Sequence, residues 1–417
     1  MFRLSISARN SLLAVGAVLA LFVAFKSDAD GDAPAARIPA AKRRTASKPK
    51  PAPVPRKDRL IGDASLLGEI NLEKRKLVDD HYETRLPDGS QAVLTLDPKW
   101  QKAAEKVLAQ AKAPQASIVV MKPDGTILAL AAGRYQNNSV QHDASLGLST
   151  WAPAASIFKV VTASSLLANG LPAKKEVCYH GGLRSVEPSN LIDNPRADGT
   201  CNSLEFGVAK SQNALMAKLV TKFLKQSELR KTANAFGFGK APHFALEAQA
   251  STVTLPTESL EFARVASGFW QSRISALSGA LIANTIASGG LSVTPRIVSE
   301  VRERGRTIPV VSTEPERVLE KKLANTVAEM MSATVRYGTA KKAFRDPRGR
   351  PYMKDTTIAG KTGSLSTTSP EYIGYSWFVG FAPVEEPEVV ISVLLGNPAK
   401  WHLKAHTAAR LVLDSHF

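Results

Sequence analysis

Ser156-Ile157-Phe158-Lys159-Val160-Val161-Thr162-Ala163 is the stretch on which the reading of this chain turns. Pro153 and Ser156 mark a helix start, and Asn169-Gly170 with Pro172 beyond mark its stop. Ile157, Phe158, Val160, Val161, Leu166 and Leu167 make this helix apolar nearly all round, which predicts a central, buried position. Ser156 and Lys159 stand three positions apart and so share one face. Burial disfavours an ammonium, so Lys159 is pushed toward the neutral amine that a general base must be. Ser156, at the helix N-terminus, lies where free N–H groups favour a developing oxyanion. Taken alone the motif is weak. Ser47 and Lys50 repeat its spacing inside a Pro-rich stretch, and a capping serine beside a snorkelling lysine stays open as the plainer reading.

Two further motifs raise its weight. Ser211-Gln212-Asn213 and Lys361-Thr362-Gly363 each occur once, in that order after Ser156. Ser211 and Asn213 fall in a turn between Leu204–Ala209 and Ala214–Phe223, both helical in pattern, and offer a hydroxyl relay and a substrate-gripping amide. Lys361 falls on a predicted strand, Thr357–Leu365, along which an extended peptide could add as a further strand. Gly363 removes a side chain where backbone must approach a ligand.

Outward from these motifs, Ala116–Met121 is apolar and β-branched, Lys122-Pro123-Asp124-Gly125 is turn chemistry, and Thr126–Ala132 completes a hairpin. Helical periodicity dominates from about Trp151 to Ile286. Strand-like runs return at Thr357–Leu365, Ser376–Ala382 and Val389–Leu395, and an amphipathic helix spans about His402 to Leu413. Strands at both ends with helices between predict an α+β fold in which one mixed sheet is assembled from distant segments.

The net charge of +17 invites a nucleic-acid reading, so its location decides. Residues 31–60 hold nine basic and two acidic residues and supply +7 of it. This Pro/Ala/Lys stretch cannot bury enough apolar surface to offset its ordering entropy, which predicts an extended tether near anionic lipid or wall polymer. No aromatics are interleaved for base stacking, so nucleic acid is not expected as a partner. Before it, Arg3 and Arg9 precede an apolar run from Leu12 to Phe25 closed by Lys26. Fourteen residues make a helix of ~21 Å, short for a hydrocarbon core of ~30 Å, yet no clean cleavage site follows. A retained single-pass anchor is the preferred reading, with a cleaved secreted form as the alternative. Two cysteines and seven histidines with no HExxH motif build no metal centre, and no cofactor is expected. In an exported chain Cys178 and Cys201 pair naturally as a disulfide.

The three motifs together are the signature of penicillin-binding proteins and serine β-lactamases. The chain resembles the transpeptidase domain of penicillin-binding proteins over most of residues 88–417. Leu94-Thr95-Leu96-Asp97-Pro98, Phe236-Gly237-Phe238-Gly239, Ile282-Ala283-Asn284 with Gly289-Gly290, Gly338-Thr339-Ala340 and Trp377–Pro383 are further matching blocks. The resemblance implies an antiparallel sheet of about five strands flanked by helices, with an all-helical subdomain. It divides the chain into an anchor (1–30), a linker (31–60), a lead-in (61–90) and a catalytic domain (91–417). Carried over residue by residue, it implies Ser156 as the acylated nucleophile and Lys159 as its base. Ser211 assists proton transfer, and Asn213 binds substrate. Lys361, Thr362 and Ser364 hold the substrate carboxylate beside Gly363, and the N–H groups of Ser156 and Ser364 form the oxyanion hole. The family usually places Pro-Gly before the nucleophile, where this chain has Pro153-Ala154-Ala155, and Ser364 stands where many relatives carry Thr.

The implied activity is attack by Ser156 on the D-Ala-D-Ala bond of a peptidoglycan stem peptide, with β-lactams as covalent inhibitors. The enzyme would sit at the inner membrane with its catalytic domain on the outer side, and cell-wall synthesis proteins are expected partners. A D,D-carboxypeptidase, a β-lactamase and a non-catalytic muropeptide sensor or scaffold are the rival readings. No Glu-x-x-Leu-Asn loop lies between Ser211 and Lys361, which argues against the β-lactamase. About 60 residues between anchor and domain leave no room for a glycosyltransferase, so a bifunctional enzyme is not expected.

Overall fold

The computed structural model describes residues 56–182 and 185–417. The apolar run 12–25 and the tether up to residue 55 lie outside the described residues. Among the described residues no helix is long and apolar enough to cross a membrane.

The organising sheet is built from two distant parts of the chain. Strands β1 (Gln115–Met121), β2 (Ile127–Gln136) and β3 (Ser139–His142) come early; β4 (Ala359–Thr367), β5 (Ile373–Ala382) and β6 (Val389–Asn397) come late. They lie in the order β4-β5-β6-β1-β2-β3, antiparallel throughout. The pairing is therefore not mixed, and the short edge strand β3 makes six. Every residue of β6 is buried, as expected for a central strand covered on both faces. On β5 the side chains alternate: Trp377, Val379 and Phe381 enter one core, Phe378 and Ala382 the other.

The helices that matter are α1 (Pro98–Ala111), α2 (Phe158–Ala168), α3 (Leu204–Ala209), α4 (Asn213–Phe223), α5 (Ala276–Ala287), α6 (Lys321–Arg336) and α7 (Ala405–Leu413). Asp97 caps α1, its carboxylate accepting from the N–H groups of Lys99 and Trp100. The apolar stripe of α1 packs with α7 on one face of the sheet. Helix α5 presses on the other face, where a Cβ at Gly279 would lie 2.7 Å from Ser392 Oγ, so only glycine permits that approach. Helix α2 is buried along ten of its eleven residues, each large apolar side chain contributing about 1.5–3 kcal/mol by leaving water. Gly170, at φ +88°, ends it.

A second sheet has no counterpart in the sequence reading. Strands at 60–61, 76–78, 81–85, 91–94, 298–303 and 306–311 form it. Residues 61–90, read as a lead-in, supply the strands at 76–78 and 81–85, which join 298–303 through the strand at 91–94, while Ile61 pairs directly with Val311. Val301 and Ile308 are buried while Glu300, Arg302 and Arg306 face outward, so the strands looked polar and linker-like in sequence. The last residues assigned to the tether also belong to the fold. Arg56 pairs with Glu69 and Asp88 at 2.5 Å each, and Leu60 pairs with Val310.

Candidate active site

Strand 152–153 pairs with 272–274 and delivers the chain to Ser156. Trp377 Nε1 donates to the Pro153 carbonyl at 2.9 Å, and the Ala154 N–H donates to the Ser272 carbonyl at 2.9 Å. Ala155 then takes a left-handed φ of +50° before the single 3-10 turn that opens α2. That conformation costs an alanine about 1–2 kcal/mol and a glycine nothing, which explains why the residue before the nucleophile departs from the Pro-Gly pattern only at some strain.

From α2, Lys159 is fully buried and its Nζ lies 2.9 Å from Ser156 Oγ. It also reaches Asn213 Oδ1 at 2.6 Å and the Ser267 carbonyl at 2.5 Å. Burial first, and the charge of Lys361 second, hold Lys159 well below the ordinary lysine range. As a neutral amine it donates to the two fixed carbonyl oxygens and keeps a lone pair for the Ser156 proton.

Ser211 ends α3 at φ +55°, and Asn213 opens α4 two residues later, as the sequence placed them. Lys361 projects from β4, is fully buried, and donates to Ser211 Oγ at 3.0 Å and to the Thr362 carbonyl at 2.9 Å. Burial pushes its ammonium down to about 7. Thr362 Oγ1 lies 2.5 Å from Thr339 Oγ1. Gly363 serves a different approach from the one expected. A Cβ there would lie 3.3 Å from both the Ala155 Cβ and the Ser156 nitrogen, so the missing side chain lets β4 close on the nucleophile's own turn.

Ser156, Asn213 and Ser364 open into one crevice of about 540 Å³ whose walls are Gly268, Phe269, Trp270, Leu365, Ser366, Tyr372 and Trp401. None of these lining residues is charged, and both amines sit behind the wall. The motif residues therefore converge: Ser156 with Lys159 and Asn213, Ser211 with Lys361, and Gly363 against Ser156.

Sequence reasoning missed Ser267, Gly268, Tyr372 and Trp401, and it reached Thr339 only within the matching block Gly338-Thr339-Ala340, with no role attached. Trp377 and Phe381 are buried in the core, whereas Trp270 is 42% exposed at the crevice. Gly268 adopts φ +85° between a helix and a strand, and its only sequence signal is a glycine closing the helical run 259–266. The disulfide between Cys178 and Cys201 joins directly paired positions of strands 177–179 and 200–202. Asp198 pairs with the fully buried Lys218 of α4 and with His180. Burial alone would raise its carboxyl; the hydrogen bonds from His180, Lys218 and the Asn194 backbone overcome that and hold it below the carboxylate range.

The profile of the penicillin binding protein transpeptidase domain matches residues 116–413. Peptidoglycan D,D-transpeptidase PbpA of Mycobacterium tuberculosis is 26% identical over 357 residues, 77% of this chain and 70% of the relative. Stage V sporulation protein D of Bacillus subtilis is 26% identical over 367 residues, 82% of this chain and 55% of the relative. Among solved structures, penicillin-binding protein A from M. tuberculosis, as its imipenem acyl-enzyme complex, superposes with a TM-score of 0.65 at 25% identity, covering 79% of this chain and 80% of that one. A D,D-transpeptidase domain from Eggerthella lenta shares the fold at a TM-score of 0.64 and 23% identity, with 78% and 82% covered.

Proposed function

The chain belongs to the penicillin-binding protein transpeptidase family, and on that premise we propose that it is a peptidoglycan D,D-transpeptidase whose acyl-enzyme forms on Ser156. The observation that carries the reading is the 2.9 Å contact between Ser156 Oγ and a buried Lys159 amine. The transpeptidase name of the mycobacterial relative and the acyl-enzyme form of the similar structure support it.

In this reading Ser156 Oγ attacks the carbonyl of the penultimate D-Ala while its proton passes to Lys159. The oxyanion is received by the N–H groups of Ser156 and Ser364, brought together by the close approach at Gly363. The proton then goes to the departing amine of the terminal D-Ala, with Ser211 as relay between the two lysines. Lys361, Thr362 and Ser364 hold the terminal carboxylate, and Asn213 the peptide bond. The amine of a neighbouring stem peptide attacks the ester, forms the cross-link and frees Ser156. A β-lactam follows the first half of this path and stops as a stable ester.

We place the enzyme at the inner membrane. The apolar run Leu12–Phe25, with Arg3 and Arg9 before it, supports a single-pass anchor with the catalytic domain outside, joined by the basic tether. Cell-wall synthesis proteins are the partners such a placement implies.

Ser156→Ala should abolish covalent labelling by a fluorescent penicillin; persistent labelling refutes the assignment. Incubation with a D-Ala-D-Ala muropeptide and an amine acceptor should give, by mass, a dimer lacking one D-Ala. Hydrolysed monomer alone would make the enzyme a carboxypeptidase.

A further inference from the structure

Thr339 lies just beyond α6, on a short segment wedged between the second and third motifs. Its N–H donates to the Ala209 carbonyl at 3.1 Å, two residues before Ser211. A Cβ on Gly338 would stand 2.1 Å from that same oxygen, so the segment is seated tightly against the end of α3. Lys210 Nζ fastens it from the other side, donating to the Tyr337 carbonyl at 2.6 Å. This bracket presents the Thr339 hydroxyl to β4, 2.5 Å from that of Thr362. Thr339 is exposed, whereas Thr362 is 9% exposed.

A hydroxyl carries one proton. Thr362 cannot donate to a substrate carboxylate and to Thr339 at once. When a carboxylate binds, Thr339 must be the donor of the pair, which gives a chain from Thr339 O–H to Thr362 O–H to carboxylate. Each link polarises the next. We infer that Thr339 is a positioning residue that turns the Thr362 proton toward the substrate's terminal carboxylate and so selects for substrates in which that carboxylate is free. The inference rests on the reading of Ser156 as the acylated nucleophile.

The test uses the full-length protein with benzylpenicillin and its methyl ester, the second-order acylation rate of each being measured for wild type, Thr339→Val and Thr339→Ser. Thr339→Val should slow acylation by the free acid about 3- to 10-fold while the ester changes by less than about twofold. Thr339→Ser, which keeps the hydroxyl, should retain the wild-type preference for the acid. Equal loss for both probes assigns Thr339 to scaffolding alone and overturns the inference, as does an unchanged acid-to-ester ratio. Failure of the wild type to acylate with either probe would instead overturn the nucleophile reading, so the two failures are separable.

Discussion

Lys361 and Ser211, 150 positions apart in the chain, meet through a 3.0 Å hydrogen bond. That contact ties the β4 amine to the turn between α3 and α4, where Asn213 Oδ1 accepts from the amine on α2. Two buried ammonium ions of like sign raise each other's energy, so the site favours one proton over two between the lysines. The division of labour follows. Lys159, deeper and next to Ser156, gives up its proton first, and Lys361 keeps one longer.

This ordering fixes the sign of the pH dependence. On the proposed mechanism, acylation needs Lys159 neutral and Lys361 charged. The cation that attracts a carboxylate is lost as pH rises through about 7, where burial has brought Lys361. On the acid side, protonation of Lys159 removes the base. The second-order acylation rate for benzylpenicillin should trace a bell whose alkaline limb lies near 7. Lys361→Arg, which does not lose its proton in this range, should carry that limb beyond about pH 9. An alkaline limb that stays in place would show that another group produces it.

Gly268 sets how closely the wall of the crevice approaches the nucleophile. A Cβ there would lie 2.4 Å from the Ala155 carbonyl oxygen and 2.9 Å from Ser156 Cα. Gly268→Ala should therefore shift Ser156 and cut the acylation rate about 10- to 100-fold. Gly237 is the control for backbone strain, with φ +90° and nothing within 4 Å of its would-be Cβ. Gly237→Ala should leave acylation unchanged. Equal losses in the two variants would trace the effect to strain and not to the nucleophile.

The chemistry was legible because its geometry is local to motifs. Ser156 and Lys159 are fixed by one helical turn, Ser211 and Asn213 by one helix end, and Lys361 and Gly363 by one strand. The hairpin at 122–125 and the three late strands were readable for the same reason, since turn residues and apolar runs mark them. What stayed hidden depends on contacts between distant segments. The strands at 298–311 bury one face only, and their outward charges mask the period-two signal. Thr339 and Trp401 touch neighbours more than twenty positions away, so the block Gly338-Thr339-Ala340 marked Thr339 without its contact, and nothing local marked Trp401. Trp401 rests on Gly374, where a Cβ would come within 2.5 Å of its ring.

Besides its strands and ion pairs, the lead-in is tied to the domain by one buried carboxylate. Asp63 is fully buried and accepts from the N–H groups of Ala245 at 3.0 Å, Ile297 at 2.6 Å and Val298 at 3.2 Å. Burial raises its carboxyl above the ordinary range despite those three donors. Asp63→Ala leaves all three donors buried without that partner and should cost about 3 kcal/mol or more, read as a lower urea midpoint. Asp63→Asn keeps an acceptor oxygen and should lose roughly half as much. Matching midpoints for the alanine variant and the wild type would show that the carboxylate does not hold the lead-in.

Lys218 offers a sharper test of how the loop closed by Cys178–Cys201 is tied to α4. Its side chain is wholly buried and pairs with Asp198, with the more exposed Asp193 at 3.2 Å. Removing Asp198 leaves the buried ammonium only the more exposed Asp193, whereas removing the lysine leaves a carboxylate that His180 can still serve. Asp198→Ala should thus lower the melting temperature more than Lys218→Met does. The double variant, with neither charge, should melt above Asp198→Ala alone, because methionine fills the space without a charge to strand. Strictly additive losses would mean the pair is solvated and contributes nothing beyond its separate parts. Since α4 begins at Asn213, the same series should move acylation in step with stability; a stable Asp198→Ala variant with unaltered acylation would place this network outside the catalytic frame.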